Sequence, residues 1–165
     1  MRLFIASPVI LHDYTALRAD FSEVLEGKWV EEENLHLTWI FLGDRPSSGA
    51  ILERMAGLSS LPHTVPLSGV GSFGRPPRIF HAQSREKLLY DKASEFREAG
   101  FTLYRFTPHV TLCRIKRVHD YRRFKALKKS YREKILGEIV PEITLYESVL
   151  TKERAYYKKI ESVTK

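Results

Sequence analysis

Two copies of one short motif supply the chemistry that this sequence offers. His36 precedes Thr38 by two residues, and His109 precedes Thr111 in the same way, 73 residues further along the chain. Each copy lies in an apolar stretch typical of a β-strand, where residues two apart face the same side. An imidazole titrates near neutrality, so one of a facing pair can donate a proton while the other accepts one. With two hydroxyl donors beside them, the imidazoles suit metal-free acid–base chemistry on a phosphodiester.

A single His-x-Thr is more often an ordinary strand segment than a site. Two copies separated by nearly half the chain, each placing a polar imidazole in an apolar strand, favour a shared function over coincidence. The spacing therefore predicts two similar lobes, related by a pseudo-twofold axis, that each contribute one strand to a central cleft.

Length and composition fit one domain. The chain has 165 residues, of which 43% are hydrophobic and 28% charged, so we expect a single bilobal domain over residues 1–165. Cys113 is the only cysteine, which excludes an intrachain disulfide and suits a reducing, cytoplasmic setting. No run approaches the roughly 20 apolar residues that cross a bilayer, so we expect no membrane partner. We also expect the protein to be a monomer.

The positive charge is concentrated in one segment. The chain has 27 Lys and Arg against 20 Asp and Glu, a net charge of +7, and residues 114–134 hold ten of these cations against only Asp120 and Glu133. Apolar residues recur through this segment at helical spacing, which predicts a basic amphipathic helix. Such a helix is either a solvated face or a surface for a phosphate-bearing partner such as RNA.

Periodicity and turn residues predict an α+β fold, with antiparallel sheets lining the cleft and helices on the outside. Helices are expected over residues 15–26 with a stop at Gly27, over 50–58, over 85–99, and over about 120–134 within the basic segment. Strands are expected over residues 2–7 with an end at Pro8, 35–42 as a central strand, 64–71, 78–83, 101–106, 109–115, 138–151 and 155–163. The strands at 64–71 and 78–83 should form a hairpin, and so should the last two.

The sequence around both motifs resembles a known family. Residues 33–43 (ENLHLTWIFLG) and 106–114 (FTPHVTLCR) are similar to the signatures of the two-histidine (2H) phosphoesterases. Within that group they resemble the RNA 2',3'-cyclic phosphodiesterase and 2'-5' RNA ligase family. The opening strand 1–6, the glycine-rich turn 69–74 and the closing strands with Tyr157 extend the resemblance over nearly the whole chain.

The resemblance implies a role for each motif residue. His36 would be the proton donor to the leaving 3' oxygen of a 2',3'-cyclic phosphate, and His109 would be the proton acceptor that activates water. Thr38 and Thr111 would hold the phosphate oxygens. No metal and no cofactor is implied, and the partner would be an RNA end, such as that of a tRNA fragment. The same in-line chemistry would cleave 2'-5' linkages, and the reverse of that cleavage would join RNA ends through a 2'-5' bond.

Four further residues are candidates for binding the substrate. Arg114 follows the second motif, but strict alternation from His109 places it on the opposite face unless a bulge intervenes. A surface ion pair is therefore an equally open role for Arg114. Phe73 and Tyr157, together with Tyr104, are candidates to stack on a base, although packing in the core is the commoner role of such side chains.

The remaining cysteine and histidines are assigned ordinary roles. Cys113 should share a face with His109 and Thr111, but no neighbouring motif makes it a nucleophile, and a buried cysteine is usually a core residue. The other histidines have no metal-ligand spacing and are expected at the surface or in caps. They are His12, His63, His81 and His119.

Two other functions stay open at this point. A non-catalytic RNA-end binding module would use the basic helix and the cleft without turnover. A phosphodiesterase acting on small cyclic nucleotides would not need a polymer-binding surface. Two complete His-x-Thr motifs argue against the first alternative, and the basic segment argues, more weakly, against the second.

Overall fold

Ten strands and four α-helices make up the fold in the computed structural model, which describes residues 1–165. In chain order the strands are β1 (Arg2–Leu11), β2 (Leu25–Trp29), β3 (His36–Asp44), β4 (Val65–Ser68), β5 (Val70–Phe73), β6 (Ile79–Gln83), β7 (His109–Val118), β8 (Ile135–Ile139), β9 (Thr144–Leu150) and β10 (Ala155–Ser162). The helices are α1 (Tyr14–Ser22), α2 (Gly49–Met55), α3 (Lys87–Glu98) and α4 (Tyr121–Ser130), and a short 3-10 turn spans Glu32–Asn34. None of the helices has the length and apolar character that crossing a membrane would need.

The strands form two sheets in which every pair is antiparallel. In the six-stranded sheet the hydrogen-bonded path runs β10-β9-β1-β8-β4, where β9 and β8 pair in succession with one side of β1 and β3 pairs with its other side. The four-stranded sheet has the order β2-β7-β6-β5. The α+β class predicted from the sequence is confirmed.

One hydrophobic cluster of 35 buried residues draws on both sheets and all four helices. Phe80 of β6 packs against Phe21 of α1 and Phe124 of α4, with ring centroids 4.3 and 6.0 Å apart. On the six-stranded sheet, Trp39 of β3 stacks on Phe96 of α3 at 5.4 Å. The helices thus cover one face of each sheet, and alternate residues of β3 and β6 point to the other face.

β1 continues through Pro8, where the sequence predicted its end. On one side of β1, pairing with β9 covers residues 3–6 and pairing with β8 begins at Val9. The carbonyl of Pro8 accepts a hydrogen bond from Val140 N on that same side. Pro8 therefore lies between two successive partners, where the ladder does not require the donor that proline lacks.

The predicted helix over residues 15–26 is too long at its C-terminal end. α1 begins after Asp13, whose carboxylate accepts a hydrogen bond from Ala16 N, but it ends at Ser22, and Leu25 starts β2. Gly27 is therefore a strand residue and not a helix stop. A Cβ at Gly27 would lie 2.2 Å from the carbonyl oxygen of Arg114 in β7, so glycine is needed here for the close approach of two backbones.

Other strand predictions are corrected by non-local pairing. Residues 64–71 form two strands and not one, because Gly69 at φ +76° separates β4 from β5. β4 pairs with β8 in the six-stranded sheet, and β5 pairs with β6 in the four-stranded sheet. Residues 101–106 form no strand, and residues 138–151 are interrupted between β8 and β9. β3 pairs only with β1 and is an edge strand, not a central one. The hairpins β5–β6 and β9–β10 are confirmed.

Replacing Gly27 by alanine should reduce the free energy of unfolding by about 1–3 kcal/mol, because the added methyl group would overlap backbone atoms of β7 that cannot rotate away. Urea unfolding measures this loss. Gly49→Ala is the matched control, since a Cβ at Gly49 meets nothing within 4 Å. Its stability should be unchanged or slightly higher. Equal stabilities of the two variants would contradict the tight β2–β7 approach.

Candidate active site

The two His-x-Thr motifs lie on strands from different sheets that approach each other. β3 forms an edge of the six-stranded sheet, and its Cα atoms come within 8 Å of those of β7. His36 is the first residue of β3, and His109 is the first residue of β7. The fold thus brings together two segments 73 residues apart in sequence, and the threonine of each motif lies two positions into its strand.

Both imidazoles are anchored in the same way. His36 Nδ1 lies 2.6 Å from the carbonyl oxygen of Asn34, and His109 Nδ1 lies 2.8 Å from the carbonyl oxygen of Thr107. A carbonyl oxygen can only accept, so Nδ1 of each ring donates its hydrogen. In the neutral rings the lone pair is then on Nε2, and Nε2 of neither ring bonds to another protein group. Each motif therefore presents one free nitrogen that can take up or release a proton.

His36 lies against aromatic side chains. The ring of Phe4 is 5.3 Å away, and the ring of Tyr157 meets it edge-on at 5.2 Å. Burial lowers the pKa of His36 below its usual value, hydrogen bonding to the Asn34 carbonyl opposes this, and the charge of a protonated His109 lowers it further. The electrostatic coupling means that a proton on one motif histidine disfavours a proton on the other.

His109 lies against a different pair of rings. Phe73 of β5 meets it edge-on at 4.9 Å, and His81 of β6 is 5.5 Å away. Phe73 and His81 also pack against each other at 4.2 Å. The second motif therefore has an imidazole as a neighbour where the first has tyrosine.

His81 is the residue of this site that the sequence did not reveal. It is 4% exposed, not on the surface as predicted, and its Nδ1 has no hydrogen-bond partner in the protein. His81 pairs with Thr111 on one side and with Gly71 on the other, where a Cβ would lie 2.8 Å from the imidazole. Burial, followed by the charges of His109 and Lys128, lowers the pKa of His81 to about 4. The only sequence signal for the position of His81 is Gly71, a glycine on the strand that the predicted hairpin pairs with the strand of His81.

A β-bulge decides the position of Arg114. Phe80 pairs with Cys113 and His81 with Thr111, so one step along β6 corresponds to two steps along β7. The extra residue moves Arg114 to the face that carries Thr111. This is the bulge without which, by strict alternation from His109, Arg114 would lie on the opposite face. Its charge opposes the burial-driven rise in the pKa of Tyr157, which belongs to the opposite sheet.

The same bulge turns Cys113 away from the motif face, where the sequence had placed it. Cys113 is fully buried and pairs with Phe80, and its Sγ would lie 2.8 Å from a Cβ at Gly27. Burial raises the pKa of the Cys113 thiol to about 11. A protonated core thiol is a poor nucleophile.

The aromatic candidates are placed unequally. Phe73 and Tyr157 each contact one motif histidine, whereas Tyr104 is 85% exposed on the loop after α3. Phe41 of β3 was not identified from the sequence as an aromatic candidate. Its side chain is 75% exposed, and its ring centroid lies 6.2 Å from that of Phe4, the neighbour of His36. No group of three or more His, Cys, Asp or Glu side chains is arranged to hold a metal ion.

Comparison with known proteins identifies the family. The sequence model of the LigT like phosphoesterases matches residues 7–81. The RNA 2',3'-cyclic phosphodiesterase of Aeropyrum pernix is 32% identical, with 82% of this chain and 85% of the relative aligned. The protein of the same name from Thermotoga maritima is 31% identical over 96% of this chain and 92% of the relative. The chain belongs to the LigT-like phosphoesterase family.

Solved structures match this LigT-like phosphoesterase over nearly its whole length. TT0787 of Thermus thermophilus has a TM-score of 0.71 at 25% identity and covers 99% of this chain and 97% of its own. E. coli LigT, solved in complex with NADP+, also has a TM-score of 0.71 at 25% identity, covering 98% and 95%. The family resemblance inferred from the two motifs is confirmed.

The buried His81 predicts a pH dependence of stability. Its pKa is about 4 in the folded protein against the ordinary value of 6.5, so the unfolded chain binds more protons between these pH values. The stability that neutral His81 contributes is therefore complete above pH 6.5 and is lost as the pH falls towards 4. Between pH 7 and pH 5 the loss should be about 2 kcal/mol.

His81→Leu should remove this contribution, because leucine has a similar volume and does not titrate. The difference between free energies of unfolding at pH 7 and pH 5, measured in urea, should be about 2 kcal/mol smaller in this variant than in the wild type. His63→Leu replaces an exposed histidine and should keep the wild-type difference. The same pH dependence in His81→Leu and wild type would show that His81 is not held neutral.

Proposed function

We propose that this LigT-like phosphoesterase hydrolyses the 2',3'-cyclic phosphate at an RNA 3' end to a 2'-phosphate, without a metal ion. The observation that carries the proposal is the paired anchoring of His36 and His109 through Nδ1, on strands that approach each other, with both Nε2 atoms free. The name RNA 2',3'-cyclic phosphodiesterase, shared by the curated relatives, supports the substrate class.

The proposed reaction is an in-line displacement at phosphorus. His109 Nε2 takes a proton from water as the water oxygen bonds to phosphorus, and the bond from phosphorus to the 3' oxygen breaks. His36, protonated on Nε2, gives its proton to that oxygen, so the products are a 3'-hydroxyl and a 2'-phosphate. Thr38 and Thr111 donate hydrogen bonds to the non-bridging oxygens, and Arg114 offsets their negative charge. Proton exchange with solvent restores both histidines.

The acid role of His36 depends on the substrate. In the free protein, burial and the charge of His109 lower the pKa of His36, which disfavours the protonated ring needed to donate. An anionic phosphate between the two motifs has the opposite effect, because a negative charge close to an imidazolium stabilises it. Substrate binding thereby prepares the acid.

Binding of inorganic phosphate should therefore raise the pKa of His36. The imidazole carbon and proton shifts of the wild-type protein, followed by NMR across the pH range with and without phosphate, measure the change. His36→Ala assigns the signals, and the exposed His63 is an internal control whose titration should not move. A pKa of His36 that is unchanged or lowered by phosphate would mean that His36 is not the proton donor.

Replacing either motif histidine by alanine should lower kcat for a 2',3'-cyclic phosphate oligonucleotide by a factor on the order of 10² to 10⁴. The double variant should lose less than the product of the two factors, because both histidines act in one transition state. Thr38→Ala and Thr111→Ala should have smaller effects. Assays in EDTA test metal independence at the same time, and identification of the product phosphate tests the bond that breaks.

His63→Ala is the control for these variants, and circular dichroism checks the fold. Near-native kcat in a folded His36 or His109 variant would move the assignment to a non-catalytic RNA-end binding module. Activity that EDTA abolishes and a divalent metal restores would contradict the mechanism.

Two variants of this activity remain within the proposal. NADP+, the ligand in the E. coli LigT structure, carries a phosphate on a 2' oxygen of ribose, the substituent that the proposed reaction leaves. This observation supports recognition of a 2'-phosphorylated nucleotide and is equally compatible with small cyclic nucleotides as substrates. Joining of RNA ends through a 2'-5' bond would use the same acid and base in the same roles: a 5'-hydroxyl would replace water as the nucleophile that gives its proton to His109, and the 3' oxygen would again leave with the proton of His36. A cytoplasmic monomer acting on RNA ends, such as those of tRNA fragments, completes the proposal.

A further inference from the structure

One row of residues crosses all four strands of the smaller sheet beside the motifs. Lys28 of β2 pairs with Arg114 of β7, Arg114 pairs with Ile79 of β6, and Ile79 pairs with Phe73 of β5. Residues paired across antiparallel strands point to the same face. His81 lies two residues from Ile79 on β6, so the row shares the face that carries His81 and Thr111. Three strand spacings place Lys28 about 14 Å from Phe73.

The two cations in this row lie directly opposite each other without a neutralising partner. Neither Lys28 nor Arg114 has a carboxylate within 4.0 Å, and Lys28 is exposed. By contrast, Lys116 and Arg117, further along β7, both form ion pairs with Glu26 of β2. Like charges at opposed positions of two strands destabilise the pairing. An anion bound between them would relieve this repulsion.

The basic helix α4 is less well placed for a chain that enters the cleft. Its Phe124 packs on Phe80, which neighbours His81 in β6 and so points to the opposite face of the sheet. Part of its charge is already engaged, since Arg123 pairs with Glu23 and Lys128 donates to Ser72. The unpaired cations on the motif face are therefore the stronger candidates to contact a substrate phosphate.

We propose that Lys28, next to Arg114, binds the phosphodiester immediately upstream of the terminal cyclic phosphate, so that the preferred substrate is an RNA chain and not a mononucleotide. This inference rests on the proposed function. A 2',3'-cyclic phosphate ends the chain on its 3' side, so every other phosphate lies on its 5' side. Arg114 is close to the motifs, and Lys28 lies one strand spacing further out, about 5 Å. That step is on the scale of the separation between successive phosphates of a nucleic acid strand.

Three substrates separate this subsite from the reacting centre. They are a nucleoside 2',3'-cyclic phosphate, a dinucleotide ending in the same cyclic phosphate, and that dinucleotide with a neutral methylphosphonate as its internal linkage. Lys28→Gln should raise KM for the phosphodiester dinucleotide by roughly threefold to fivefold, the size of one exposed ion pair. It should leave KM for the other two substrates unchanged, and Lys28→Arg should restore the wild-type value.

Lys129→Gln on α4 is the matched control, since Lys129 is exposed and has no ion pair. In a longer RNA, Lys28→Gln should also reduce the slope of log K against log salt concentration by about 0.7. Equal effects of Lys28→Gln on all three substrates, or no effect on the phosphodiester dinucleotide, would overturn the inference. If the wild-type protein hydrolyses none of them, the proposed function fails. In that case the Kd of each variant for a labelled dinucleotide 2'-phosphate is measured, and Lys28→Gln should still raise this Kd relative to the wild type.

Discussion

The proposed chemistry depends on one hydrogen bond that occurs twice. In each motif the histidine begins a strand and its Nδ1 binds the carbonyl of the residue two positions earlier, Asn34 or Thr107. That bond fixes both the orientation of the ring and the nitrogen that carries the hydrogen. Asn34 ends a 3-10 turn shortly before β3, and Pro108 directly precedes β7. The segments before the two strands thus leave Nε2 of each ring free for the proposed chemistry.

The surroundings of the two imidazoles differ although their anchors are alike. Phe4 and Tyr157 surround His36, while Phe73 and the neutral His81 surround His109. Removing an imidazole from water favours its uncharged form. In the proposed reaction the anionic substrate offsets this cost, because a negative charge close to an imidazolium stabilises it. Two similarly anchored histidines therefore lie in chemically different surroundings.

Small irregularities in the four-stranded sheet have large effects on its binding face. One extra residue in β7 sends Leu112 and Cys113 into the core in succession and returns Arg114 to the motif face. Glycine at position 27 lets β2 lie tightly against β7, in the register that sets Lys28 opposite Arg114. Both features change which side chains share a face without changing the sheet order.

The sequence alone determined the family, the candidate reacting groups and much of the local structure. Two His-x-Thr motifs in apolar strands indicated the reacting groups, and helical spacing indicated α3 and α4, because these signals depend on residues close together in the chain. Tertiary structure decided which partner each strand meets. Local periodicity does not distinguish one sheet from another, so it could not separate β4 from β5 at Gly69, extend β1 through Pro8, or place His81 beside His109. These outcomes depend on backbone pairing between segments far apart in sequence, and pairing decides which face a side chain occupies.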